Sequence, residues 1–283
     1  MFGAAGIKSR MDDHATLLTR IAEALERLAP VPAPLLDPEV GDAFVWSSER
    51  LHLVTGAAAQ PLERFAGVDA QRDTLLENLR RHARGLPAHD VLLWGARGMG
   101  KSSLVRSIAA VLRSGGDDLA LVQVARDDIA SLGALFETLG RSARRFVIFA
   151  DDLSFEADET QYKALRSVLD GGITARPANV RIAVTSNRRH LVPRDHAEND
   201  AVNPRDVLDD RLALDDRFGL SLGFHNCDQP TYLAMVRGYA NALGLQVEDG
   251  AALAWATGRG HRSGRVAWQF IEEVAGAAGR MIG

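Results

Sequence analysis

The spacing of apolar residues changes character along this chain, and each change predicts a different kind of element. Over residues 12–29, Leu17, Leu18, Ile21, Leu25 and Leu28 share one helical stripe, with Arg20, Glu23, Glu26 and Arg27 on other faces. This predicts an amphipathic helix within residues 1–30, able to pack on its own domain or on a partner. The run APVPAPLLDP then breaks the period and reads as a stiff, Pro-rich linker from Ala29 to Pro38. FVWSSERLHLV sets two apolar stretches around a polar turn, so the remainder of 31–66 suggests a hairpin.

From Gly67 short apolar runs alternate with helical periods. Helices are expected at 69–83, 101–113, 129–139 and 159–169, and strands at 91–94, 119–124, 146–150 and 180–184. Alternation of this kind predicts an α/β three-layer sandwich with a mostly parallel sheet covered on both faces. Ligands of such sheets sit at the carboxyl ends of the strands. A further helix from Gln229 to about Leu243 opens a small helical segment, which divides the chain into 67–225 and a lid of 226–283.

The strongest chemistry lies directly after the strand at 91–94. Residues 95–103, Gly95-Ala96-Arg97-Gly98-Met99-Gly100-Lys101-Ser102-Ser103, match G-x-x-x-x-G-K-[ST] at every fixed position. The glycines let successive N–H groups curl around phosphate oxygens, and the following helix adds the positive end of its dipole. Lys101 is placed for the β- and γ-phosphates and the Ser102 hydroxyl for Mg²⁺. The pattern alone also fits a Gly-rich strand-to-helix turn; the apolar strand before it and the helical run after it favour nucleotide.

Two further strand ends carry polar residues. Asp151 and Asp152 end the third strand: Asp151 is expected to hold Mg²⁺ and Asp152 to orient or deprotonate the attacking water. Glu156 is a second candidate for that base. Taken alone, each acid also suits a helix cap or a solvated turn. The fourth strand ends in Thr185-Ser186-Asn187, where Asn187 suits a sensor of the γ-phosphate or the water, or a turn.

These residues together resemble the AAA+ ATPase superfamily. The Asp-Asp pair is similar to that of bacterial replication initiators and helicase loaders, and Thr185-Ser186-Asn187 to sensor 1. In LALDDRFGLSL, Arg217 resembles the arginine finger that reaches a neighbouring subunit's nucleotide; a surface bridge to Asp215 or Asp216 is the alternative. GHRSGRVAWQF resembles the start of the sensor 2 helix, with Arg265 the better match and Arg262 the alternate. An arginine at a helix start opposes the dipole, which is easier to explain with an anion nearby. The runs ADDLSFE, TSNRRHL and DDRFGL together are similar to a bacterial AAA+ family known only as a domain of unknown function. The resemblance spans about Gly67 to Ala278 and implies Mg-ATP hydrolysis by a homo-oligomer acting on a macromolecular client. Asp152 is one methylene shorter than the usual Glu, which implies slow turnover.

Composition narrows the partners. With 46% hydrophobic and 25% charged residues the chain can bury a sizeable core, and a net charge of −4 gives no global attraction to nucleic acid. DNA stays open as a partner but is not favoured, because no helix-turn-helix is readable after the C-terminal helices. VQVARDDIASL holds neither the pore loop of protein-threading unfoldases nor the extra helix of initiators. The three lysines include Lys101 amid plentiful arginine, consistent with a need for a compact ammonium there or with codon bias. A lone cysteine, Cys227, and the lack of any apolar run of membrane-spanning length predict a cytoplasmic protein. The charged stretch from Arg188 to Asp216, interrupted by Pro193 and Pro204, is expected to contact a partner or to be a disordered insertion.

Overall fold

The computed structural model describes residues 17–21, 36–56, 59–153, 159–170, 176–188 and 216–282. The chain forms two units, Met1–Leu35 and Leu36–Gly283. Residues 17–21 of the first are helical. Most of the expected N-terminal helix and Pro-rich linker, together with Glu156 and residues 189–215, lie outside the described residues.

The second unit is built on a seven-stranded sheet of order β2-β1-β4-β5-β6-β3-β7. Its strands are β1 (Ala43–Ser47), β2 (Arg50–Leu53), β3 (Val91–Gly95), β4 (Leu119–Val124), β5 (Arg145–Ala150), β6 (Val180–Ser186) and β7 (Leu220–Phe224). Every pairing is parallel except that of β1 with β2. Helices α1 (Asp69–Ala83), α2 (Lys101–Ser114), α3 (Leu132–Leu139) and α4 (Glu159–Leu169) connect the strands. After β7 come α5 (Gln229–Ala242), α6 (Asp249–Gly258) and α7 (Gly264–Ala277).

The apolar runs are continuous because both faces of the sheet are covered. Along β3, Val91 and Leu93 join the core formed with α1, α2 and the three C-terminal helices, whereas Leu92 joins the core formed with α3 and α4. In β5, Val147 and Phe149 face the first core, and Phe146 and Ile148 the second. Burying each such side chain contributes about 1.5–3 kcal/mol, so two cores hold the sheet between helical layers. This is the expected three-layer α/β sandwich.

Three local outcomes differ from the pattern. The hairpin is part of the main sheet: β1 pairs with β4, and Trp46 Nε1 donates to Ser131 Oγ at 2.8 Å. Its turn places both Ser48 and Glu49 at positive φ, the geometry that suits a tight hairpin but uses neither Asn nor Gly. The helix expected from 129 begins instead as a 3₁₀ turn, Arg126–Ser131, closed by Ser131 Oγ donating to Asp128 O. β7 is a strand that the pattern does not predict, because its sequence LSLGF carries only a short alternation and lies at the sheet edge.

Candidate nucleotide site

β3 ends where its backbone must turn against β7. Gly95 takes φ +118°, and a Cβ there would lie 2.1 Å from Phe224 O; the next N–H, of Ala96, donates to that same oxygen at 2.7 Å. Gly98, which the phosphate-loop pattern leaves unspecified, also takes positive φ. A Cβ on it would meet Ser263 Oγ at 2.8 Å and Arg265 Cβ at 3.2 Å. The glycine thus lets the loop approach the start of α7, where Arg265 N–H donates to Gly98 O at 3.0 Å. Helix α2 then starts at Lys101 behind Gly100, which has no side chain to cap the first N–H groups, leaving them to an anion.

Loop, strand ends and C-terminal helices enclose a cavity of about 550 Å³. Its lining joins the loop to Asp151, Asp152 and Asn187. Lys101 Nζ donates to Gly95 O (2.7 Å), Ala96 O (2.9 Å) and Asn187 Oδ1 (3.2 Å). Burial pushes the Lys101 pKa down; Asp152 and Asp151 oppose this, while Arg97 and Arg265 reinforce it. A buried ammonium next to two guanidiniums is an arrangement that a polyanion relieves. Ser102 Oγ donates to Asp151 Oδ1 at 2.5 Å, and the Asn187 amide donates to Asp152 Oδ1.

The rest of the lining is largely aromatic and comes from remote segments, with the Phe65 ring against Gly100 of the loop. Gln60, Arg64, Phe65 and Val68 precede or begin α1, Met235 and Tyr239 come from α5, and Trp268 from α7. Gln60 N–H donates to Ser107 Oγ of α2 at 2.8 Å, which fixes this segment over the loop. Tyr239 and Trp268 meet edge to face at 5.4 Å, and the Arg64 guanidinium lies 5.5 Å from the centre of the Trp268 ring. Arg64 Nε is buried with no hydrogen-bond partner among the described residues.

The fold therefore brings residues 97–103 of the loop together with Asp151, Asp152, Asn187 and Arg265 around the cavity, whereas Gly95 and Ala96 are outside its lining and meet Lys101 through their carbonyl oxygens. Arg262 is not among the cavity's lining residues; Arg265 is. Arg217 does not line the cavity either, and forms an ion pair with Asp170 at the end of α4. Both partners are partly exposed, so the pair is worth about 0–1 kcal/mol. Sequence reasoning missed Arg64, Phe65, Met235, Tyr239 and Trp268. Ser263 could have been found as a helix cap: its Oγ accepts from Val266 N–H at 3.3 Å and so fixes where α7 begins beside the loop.

Among the described residues no group of three or more His, Cys, Asp or Glu could hold a metal, and no helix is long and apolar enough to cross a membrane. The Ser102 hydroxyl and Asp151 carboxylate, hydrogen-bonded at the start of α2, are oxygen donors that could hold one hard cation.

The profile of a family described as "Protein of unknown function (DUF815)" matches residues 39–278. No curated protein matches the sequence. Among solved structures, the Thermotoga maritima RuvB Holliday junction branch migration motor is similar over 78% of this chain and 68% of its own, at 19% identity and a TM-score of 0.50. A mutant form of that RuvB covers 80% and 68%, at 18% identity and 0.52. The Aeropyrum pernix ORC1 protein, solved in complex with DNA, covers 77% and 63%, at 18% identity and 0.52. These likenesses show the fold, which is that of AAA+ P-loop ATPases.

Proposed function

The chain belongs to the family described as Protein of unknown function (DUF815), and on that footing we propose that it binds and hydrolyses Mg-ATP to switch or remodel a macromolecular partner. The observation that carries this reading is the convergence of Lys101, the Ser102–Asp151 pair and the Asp152–Asn187 pair on one cavity at the β3–α2 junction.

In this reading the loop N–H groups and the start of α2 bind the phosphates, and Lys101 exchanges its carbonyl partners for β- and γ-phosphate oxygens. Mg²⁺, held by Ser102 and through water by Asp151, would neutralise charge on those oxygens. Asp152 orients or deprotonates the attacking water, and Asn187, already bonded to both Lys101 and Asp152, registers the terminal phosphate. Arg265 adds a positive charge at the start of α7. The aromatic part of the lining, with Tyr239, Trp268 and Arg64, accommodates the base. Residues 67–225 serve as the nucleotide-binding domain and 226–283 as its lid. Arg217, placed away from this cavity, acts in the site of a neighbouring copy once it leaves Asp170.

Phosphate release from ATP is the test. The wild type is expected to release phosphate in a Mg²⁺-dependent manner and Lys101→Ala to fall to background; equal rates would refute the site. Arg217→Ala is expected to spare binding and depress turnover in the assembled form. The short Asp152 favours one further reading, a slow nucleotide-gated adaptor. Capture of a partner by ATP-bound Asp152→Asn, with negligible turnover in the wild type, would select it.

A further inference from the structure

The ladder between β5 and β6 ends at Ala150 and Val184, yet three hydrogen bonds continue beyond it. Thr185 Oγ1 donates to Asp151 Oδ1 at 2.5 Å and accepts from Asp152 N–H at 2.8 Å; Thr185 O accepts from Leu153 N–H at 2.8 Å. Thr185 is 1% exposed. A hydroxyl has one proton to give and lone pairs to offer. Here the proton goes to one acid and a lone pair to the backbone of the next.

Asp152 needs that support. Its φ of +53° is left-handed, a conformation that among the described non-glycine residues recurs only in the hairpin turn at Ser48 and Glu49. Such backbone persists where its surroundings fix it. The Thr185 hydroxyl holds the N–H and the Asn187 amide holds the carboxylate. On Asp151, Ser102 and Thr185 both donate to Oδ1.

We infer that Thr185 is a positioning residue that orients both acids: its hydroxyl sets the Asp151 carboxylate beside Ser102 and holds the Asp152 backbone in its left-handed turn. This rests on the reading of the cavity as a Mg-ATP site. Thr185→Val and Thr185→Ala remove the hydroxyl, whereas Thr185→Ser keeps it and removes only the methyl group.

The experiment measures ATP affinity of the full chain by calorimetry with Mg²⁺ and with EDTA, together with thermal midpoints. Val and Ala are each expected to reduce the Mg²⁺-dependent gain in affinity about tenfold, the size of one hydrogen bond to a charged group, and to leave affinity in EDTA unchanged. Ser is expected to restore the gain. A wild-type gain in either folded hydroxyl-free variant, or a Ser variant as poor as Val, overturns the assignment. A wild type with no Mg²⁺-dependent affinity overturns the nucleotide reading and this inference with it.

Discussion

The two parts of the cavity lining are built on different principles. The phosphate part is a short, consecutive loop plus the tips of two adjacent strands, and its polar groups are bonded to one another: Lys101 to Asn187, Asn187 to Asp152, Ser102 and Thr185 to Asp151. The rest of the lining is assembled from segments far apart in sequence, residues 60–68, α5 and α7, and offers aromatic surface with an Arg64 nitrogen that is buried without a hydrogen-bond partner among the described residues. Charge recognition needs groups at fixed short spacing, so it leaves a pattern in the sequence. A shape built of ring faces needs only the fold to bring them together.

Removing the centre of the phosphate part gives the largest effect. Lys101→Ala is expected to abolish turnover and to weaken ATP binding on the order of 100-fold, as read by calorimetry, since it removes charge-assisted hydrogen bonds to phosphate. Binding within about threefold of wild type would show that the aromatic part dominates affinity instead.

That contrast explains how much was legible beforehand. Lys101, Ser102, Asp151, Asp152 and Asn187, which line one cavity, stand out in the sequence because each follows an apolar strand or opens a helix, and parallel strands bring their ends together. Gly98 shows the limit: its positive φ is visible only once the start of α7 is known to lie against it. Trp268 and Tyr239 sit on amphipathic helices where an aromatic residue reads as ordinary core, and nothing in their spacing separates the two uses. The Arg217–Asp170 pair joins residues 47 positions apart and has no sequence signature. The edge strands β2 and β7, and the short β1 beside β2, are hard to read in sequence or read only as a bare hairpin, because short, partly exposed strands carry weak alternation.

The next effect separates chemistry from binding within the phosphate part. Asp152→Asn is expected to lower single-turnover hydrolysis by about 100-fold or more while ATP affinity stays near wild type. A parallel loss of affinity would mean that Asp152 is structural. Trp268→Ala probes the aromatic part: affinity for ATP is expected to fall about tenfold, while tripolyphosphate binding is unchanged. Equal losses for both ligands would remove the base from that part.

The smallest effect is electrostatic. Because burial lowers the Lys101 pKa, the unfolded chain holds more protons than the nucleotide-free folded protein in the alkaline range below 10.5. This group's contribution to stability therefore rises with pH through that range. Bound phosphates favour the ammonium, so saturating Mg-ATP is expected to flatten that rise in thermal midpoint. Lys101→Met is expected to show no such nucleotide-dependent difference; a difference equal to wild type would assign the effect to other groups.

The most direct measurement is a calorimetric titration of Mg-ATP into the wild-type chain and into Lys101→Ala. Saturable binding with one nucleotide per chain, strongly weakened in the variant while its thermal midpoint without nucleotide stays native-like, is the predicted result. No saturable binding to the wild type, or equal binding to both proteins, would contradict the assignment of the cavity to ATP.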